Sequence, residues 1–167
     1  MFLALLAVTF TTPALCPGGY PVAVSRAASL VGVAPDLFIE VVPREFAPRS
    51  NQNPSALAAS WVPSGDAYDF NWTIFIRYDM LHAMSCAAMK VVALHEVCHI
   101  KNRHYIWVSQ EQLLKNEEAA DVCAREHSDD VEWKEGWRDA WEAHLLAERE
   151  RIRAPAGFIH YREKVPR

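Results

Sequence analysis

The residues best suited to chemistry lie in one short run, His95-Glu96-Val97-Cys98-His99, in the middle of the chain. Two histidines four positions apart project from the same face of a helix, because four residues advance a helix by slightly more than one turn. Two imidazoles in this arrangement can hold one Zn²⁺ about 2.0–2.1 Å from each nitrogen. The glutamate that follows the first histidine lies beside such a metal, where it can deprotonate a zinc-activated water. The run therefore predicts zinc ligands at His95 and His99 and a catalytic general base at Glu96.

A catalytic zinc site needs a third protein ligand and leaves its fourth position for water. The downstream segment contains Glu117, Glu118 and Asp121, and residues 117 and 121 share one face of a second predicted helix. We predict Glu117 as the third metal ligand. Asp121, one turn further on, is predicted to accept a hydrogen bond from a ligand imidazole and so fix its tautomer. If Glu118 were the ligand, the residue four positions later would be Val122, which cannot accept that hydrogen bond.

Three alternatives to this site stay open at the level of sequence. The two histidines could be core residues beside a surface glutamate, and Glu117 could belong to a solvated acidic face. His104 could be the third ligand, although the metzincin motif requires a glycine where Asn102 stands and a histidine where Tyr105 stands. We expect His104 instead to be a helix-end histidine favoured by the helix dipole.

The H-E-x-x-H run at residues 95–99 and the E-x-x-A-D run at residues 117–121 together resemble those of the gluzincin zinc peptidases. The pattern is most similar to that of the prenyl-protein (CAAX) endopeptidases and their minimal single-domain relatives, and it extends over residues 71–125. The resemblance implies a zincin-like fold, cleavage of peptide bonds and a substrate strand lying along an edge strand, here residues 71–78. Two departures are visible, because the gap from His99 to Glu117 is short for the larger members and their membrane helices have no counterpart here.

The elements that must position these residues follow from hydrophobic periodicity. Apolar and alternating runs predict strands over residues 37–42, 56–62 and 71–78, with a loop over residues 43–54. Helical periodicity predicts helices over residues 21–33, 85–101, 109–125 and 129–151. Strands followed by helices indicate an α+β fold. We expect a small antiparallel sheet packed on the N-terminal helix and the helix that carries His95, followed by two further helices.

Local signals support the last two helices. Ser109 and Gln112 form a capping-box pattern at the start of one, and Ser128 can cap the next. Tryptophans recur every four residues along the last helix, at positions 133, 137 and 141. This spacing predicts an aromatic stripe, which we interpret as core packing rather than a substrate or partner surface.

Composition limits the classes of protein that remain. The chain has 167 residues, 51% of them apolar, which fits a single domain over residues 17–167 with a C-terminal helix and a short tail. The formal net charge of −4 argues against nucleic-acid binding. Residues 1–16 resemble a signal peptide, although no basic residue precedes Arg26. The predicted location is therefore secreted or periplasmic, or otherwise cytoplasmic, and no stretch is long and apolar enough to cross a membrane.

Four cysteines are present, and none forms a C-x-x-C pair that would indicate a zinc ribbon. They are Cys16, Cys86, Cys98 and Cys123. An even number permits disulfides but does not fix their pairing. The Cys98 side chain points away from the face that carries the histidines, and Cys123 is a conceivable partner for it.

The sequence thus predicts a zinc metalloendopeptidase that acts on a peptide or protein substrate. It gives no signal for a particular oligomeric state. Zn²⁺ activates a water, Glu96 removes its proton, and the same carboxylate returns that proton to the leaving amine. Arg77, Tyr78 and His127 could each donate a hydrogen bond to an oxyanion, but ordinary packing or solvent exposure explains each of them better. The alternative is a catalytically silent, zinc-stabilised binding module that acts through its tryptophan-rich C-terminal helix.

Overall fold

A computed structural model of the chain describes residues 16–33, 37–43, 58–61, 72–104, 109–149, 154–156, 158 and 161–166. The helices are α1 (Gly19–Val31), α2 (Tyr78–Ala83), α3 (Cys86–Lys101), α4 (Gln110–Glu126) and α5 (Asp130–Arg149). The strands are β1 (Leu37–Val42), β2 (Ala58–Trp61), β3 (Trp72–Arg77) and β4 (Tyr161–Lys164). The fold is α+β, as predicted. Every predicted helix and strand is present with ends within two residues of its predicted bounds, whereas α2 and β4 have no counterpart among the predicted elements.

The four strands form one sheet in the order β2-β3-β1-β4. Strand β3 runs antiparallel to β2, and β4 runs antiparallel to β1, but β1 and β3 are parallel, pairing Leu37 with Trp72. The sheet is therefore mixed, and the prediction of an antiparallel sheet is wrong in this respect. The prediction that residues 71–78 form an edge strand is also wrong, because β3 lies between β2 and β1. Side-chain alternation identifies a strand but carries no information about the direction of its neighbours.

Helix α3 lies at the centre of the molecule, in contact with α1, α4, α5 and β2. Every residue from position 91 to position 100 is buried, as expected for a helix that is apolar on nearly all sides. Gly136 lets α5 approach α3 closely, because a Cβ at that position would lie 2.3 Å from Val91 Cγ2. Buried side chains of α1, β1, β3 and α3 join the same hydrophobic core, which holds α3 in place from several directions.

The helix starts show which polar side chains act as caps. Ser109 Oγ accepts a hydrogen bond from the Gln112 backbone N–H at 3.2 Å, which confirms the predicted cap of α4. At the start of α5, the Asp129 carboxylate accepts from the backbone N–H groups of residues 131 and 132 at 2.7 Å and 3.2 Å. The predicted cap at Ser128 is wrong. A carboxylate is the better acceptor at a helix N-terminus because it also interacts favourably with the helix dipole.

Two disulfides link the helices that surround the core. Cys16–Cys86 joins the segment before α1 to the first residue of α3, and Cys98–Cys123 joins α3 to α4. The Cys98–Cys123 bond is the pairing that we considered conceivable from the sequence. It ties together the two helices on which the metal ligands were predicted.

Some predictions fall outside the described residues. They concern the loop over residues 44–54 and the signal peptide as far as residue 15. Among the residues that the structure describes, no helix has the length and apolar character needed to cross a bilayer.

Candidate metal centre

The two predicted histidine ligands lie side by side on the buried face of α3. His95 and His99 are 6% and 7% exposed, and their Nε2 atoms are 3.0 Å apart. The ring centroids are separated by 4.7 Å, with the rings nearly perpendicular. The apolar run that precedes them drives α3 into the core, so the two imidazoles are fixed by burial as well as by helical spacing.

Helix α4 brings the predicted acidic ligand to the same point. Glu117 Oε2 lies 3.2 Å from His95 Nε2 and 3.6 Å from His99 Nε2. Helix α4 packs with small side chains, since Ala120 and Ala124 are fully buried, and this allows its backbone to approach α3 closely. The three side chains form a group that could hold a metal ion.

The spacing of these three ligand atoms fits a tetrahedral ion. Three atoms bound to Zn²⁺ at about 2.0–2.1 Å are expected roughly 3.3–3.4 Å from one another. The observed separations of 3.0 Å, 3.2 Å and 3.6 Å bracket that value. A single point can therefore lie about 2.05 Å from all three atoms. Glu118, the alternative ligand, instead lines a surface depression with Lys101, Lys115 and Cys123.

Each ligand imidazole is held on its far side by a second polar group. His95 Nδ1 lies 2.8 Å from Asp121 Oδ1, as the spacing of Glu117 and Asp121 predicted. His99 Nδ1 lies 2.9 Å from His104 Nδ1. Partners of this kind fix the tautomer and orientation of a metal-binding imidazole. Both Nε2 atoms consequently face the point where the three ligand atoms meet.

The role of His104 was not predicted from the sequence. Arg103 adopts a left-handed backbone conformation with φ 55°, and the His104 backbone N–H donates to the His99 carbonyl at 2.9 Å. This reversal folds the chain back after α3 and returns His104 to His99. His104 is thus a partner of a ligand and not the helix-end histidine we expected.

The carboxylates around His95 favour the protonated, positively charged form of its ring. Burial alone lowers the pKa of His95, but hydrogen bonds with Asp121 and Glu117 outweigh burial and raise this pKa to about 10. Burial tends to raise the pKa of Glu117, but the neighbouring His95 and His99 hold it well below its usual range. The pKa of His104 is lowered by burial and by the charge of His99, which suits a neutral acceptor.

Glu96 is buried in the same region, with 5% of its surface exposed. Its negative charge raises the pKa of His95 and also that of Tyr20 on α1. Burial is the larger cause of the raised pKa of Tyr20. The Tyr20 hydroxyl has no hydrogen-bond partner among the described residues. Glu96 is therefore a buried carboxylate that directly follows His95 in sequence and is separate from the group of three.

Helix α5 supplies an aromatic wall next to the ligands. The Trp137 ring meets the His95 ring edge-on, with centroids 5.5 Å apart and planes at 85°. Trp133 is buried and packs edge-on against Trp137 at 5.6 Å. Trp141, however, is 60% exposed. The prediction of a core stripe therefore holds for Trp133, holds in part for Trp137 and is wrong for Trp141.

The three side chains named above as possible oxyanion donors lie in other settings. Arg77 is buried in an ion pair with Asp79, at the end of β3. Tyr78 stacks on His82 with ring centroids 4.0 Å apart. His127 lines a separate cavity of about 240 Å³ between α1 and α3.

Comparison of the chain with protein-family models, with curated proteins and with solved structures finds no match in any of the three. The chemistry assigned to this centre therefore depends on the geometry of His95, His99 and Glu117 and of the residues around them.

Proposed function

We propose that the protein is a zinc-dependent metallopeptidase that hydrolyses bonds in a peptide or protein substrate. The observation that carries this proposal is the convergence of His95, His99 and Glu117, together with a buried Glu96 that directly follows His95 in sequence. Two imidazoles and one carboxylate with tetrahedral spacing are a ligand set of catalytic zinc sites, which leave the fourth position for water. A purely structural zinc site would have no use for a further buried carboxylate next to its ligands.

The chain's own residues divide the work of such a reaction. A bound zinc ion would supply Lewis acidity. Asp121 and His104 hold the Nδ1 atoms of the two ligand rings, so that the Nε2 atoms stay directed at the ion. Glu96 accepts a proton from water at a carboxylate oxygen and returns it to the nitrogen of the leaving amine.

Access to the centre is from the α4 side. The side chains of Glu117 and Asp121 are 48% and 49% exposed, whereas the two histidines are buried. Strand β2 is an edge strand that contacts α3. The resemblance to gluzincins implies a substrate in extended conformation along an edge strand, and we propose that β2, rather than β3, is this strand.

The test is metal analysis combined with hydrolysis of a mixed peptide library. We expect one zinc per chain and cleavage by the wild type. Glu96→Gln should retain zinc and lose activity by about 10²–10⁴-fold, because it removes the proton acceptor without removing a ligand. His99→Ala should lose both zinc and activity, and Glu118→Gln, the matched acidic control on the other face of α4, should retain both. Unchanged hydrolysis by Glu96→Gln would refute the assignment.

A second candidate is a zinc-stabilised binding module that has no catalytic activity. The exposed Trp141 favours it, because large exposed aromatic side chains are typical of binding surfaces. Zinc in the purified protein together with an uncut library, and with peptides retained by the wild type, would favour this candidate over the peptidase.

We also propose a secreted or periplasmic location. Disulfides such as Cys16–Cys86 and Cys98–Cys123 persist in oxidising compartments and are rare in the cytosol. For the Cys16–Cys86 disulfide to form, a signal peptidase would have to cleave the chain before Cys16.

A further inference from the structure

Helix α5 has an unusual distribution of large and small apolar residues. Beyond Trp133, its buried positions are occupied by small residues, namely Gly136, Ala140, Ala143 and Ala147. Large apolar residues in its second half face solvent, with Trp141, Leu145 and Leu146 exposed by 60%, 51% and 37%. A surface helix ordinarily buries its large apolar side chains and exposes polar ones. The exposed face of α5 therefore has the composition of a binding surface.

This face is continuous with the metal centre. Trp137, Trp141 and Leu145 follow one another at intervals of four residues, and we call them the α5 strip. Each interval advances about 6 Å along a helix axis. The strip begins at the ligands, because Trp137 contacts the His95 ring at 5.5 Å between centroids.

We propose that the α5 strip binds side chains of the polypeptide substrate and selects substrates with large apolar residues at alternate positions. Alternate side chains of an extended chain point the same way and lie roughly 6.6–6.8 Å apart, close to the 6 Å step of the strip. A side chain held at Trp137 brings the neighbouring peptide bonds to the metal ligands. The inference depends on the proposed function, since it takes the occupant to be the chain that is cut.

The charges of α5 favour a polypeptide over a lipid surface as the occupant. The sequence of α5 contains six acidic and three basic side chains, which give it a formal charge of −3. Helices that bind membrane surfaces are typically rich in lysine and arginine on their polar face. The contact with His95 favours a substrate over a second copy of the chain, because a permanent partner on this strip would lie against the ring of a proposed metal ligand.

The experiment uses the full chain loaded with zinc and two peptide substrates. One peptide carries leucine at two alternate positions, and the other carries serine at the same two positions. We expect the wild type to prefer the leucine peptide in kcat/KM. Trp141→Ser should reduce that preference about tenfold. Leu30→Ala is the matched control, because Leu30 is also 60% exposed but lies on α1, and its preference should equal that of the wild type.

The outcomes separate this inference from the proposed function. Cleavage without a leucine preference, or a preference that Trp141→Ser leaves intact, overturns the inference and leaves the peptidase assignment in place. If neither peptide nor any library member is cut, the peptidase assignment fails. Fluorescence titration with both peptides then decides whether Trp141 still selects the leucine peptide, which would support the strip as a binding surface. A further outcome is that the wild type self-associates and that Trp141→Ser abolishes this association without changing the peptide preference. That result overturns the inference and identifies a second copy of the chain as the occupant of the strip.

Discussion

The Cys98–Cys123 disulfide provides the sharpest test of how the metal centre is built, because it joins the helix of the two histidines to the helix of Glu117. We consider its removal in the double variant Cys98→Ala/Cys123→Ala. Apart from Cys123, the buried positions of α4 are Asn116, Ala120 and Ala124, which offer little apolar surface to α3. The disulfide should therefore be the main covalent constraint that keeps Glu117 beside the histidines.

The magnitude follows from the separation of the two cysteines. A cross-link between residues separated by 25 positions restricts the unfolded chain by about 3.5 kcal/mol. If the whole of this free energy were needed to keep α4 docked on α3, the apparent Kd for zinc would rise about 400-fold. If only half of this free energy were needed, the apparent Kd would rise about 20-fold. We expect a result between these two values.

The assay is competition for Zn²⁺ with a chromophoric chelator, accompanied by thermal denaturation. The control is Cys16→Ala/Cys86→Ala, which removes a cross-link between residues separated by 70 positions that is worth about 4.4 kcal/mol by the same relation. This control should lose more stability than the first variant but change zinc affinity less than about threefold, because α1 carries no ligand. Equal losses of zinc affinity in the two variants, or none in the first, would refute the reasoning.

Three further predictions concern single side chains. Gly136→Ala should lower the free energy of unfolding, measured by urea denaturation, by about 1–3 kcal/mol, because its Cβ would lie 2.3 Å from Val91 Cγ2. A variant as stable as the wild type would contradict the close packing of α5 against α3. Tyr20→Phe should be neutral or stabilising by about 1 kcal/mol, since it removes a buried hydroxyl that has no partner among the described residues. The raised pKa of Tyr20 means that stability is full below the unfolded pKa of about 10 and falls above it, so the variant should lose less stability than the wild type between pH 9 and pH 11 in the same denaturation assay. Asp121→Ala should weaken zinc binding about 10–100-fold in chelator competition, and an unchanged affinity would show that the hydrogen bond to His95 has no such role.

Much of the candidate metal centre was predictable because its residues occur in pairs at helical spacing. His95 and His99 share one face of α3, and Glu117 and Asp121 share one face of α4, so the spacing alone places each pair. His104 was not predictable in its role, because its position depends on the backbone reversal at residue 103. Tertiary geometry of this kind leaves no periodic signal.

The helices were predictable for the same reason, whereas the sheet was predictable only in part. Strand β4 has the sequence Tyr-Arg-Glu-Lys, which lacks the apolar alternation of a half-buried strand. Helix α2 has six residues, too few to show a helical period. The parallel pairing of β1 with β3 depends on the path of the chain between them, which local patterns do not specify.

The exposure of Trp141 could have been inferred from the sequence. A period of four along α5 indicates that the tryptophans share one side of the helix but does not say whether that side is buried. The small residues Gly136, Ala140, Ala143 and Ala147 recur at intervals of three and four, and this second pattern marks the buried side.

The pairing of β4 with β1 has a consequence for the order in which the molecule can be assembled during synthesis. The contacts of the metal centre join residues close together in sequence, as in the pair of His95 with Glu117, and such short loops close early. Strand β4 pairs Lys164 with Phe38 and can add only after residues 161–164 have left the ribosome. Until then, β1 presents an open, apolar edge, and we expect this to be the stage at which a nascent chain is most prone to associate with its neighbours.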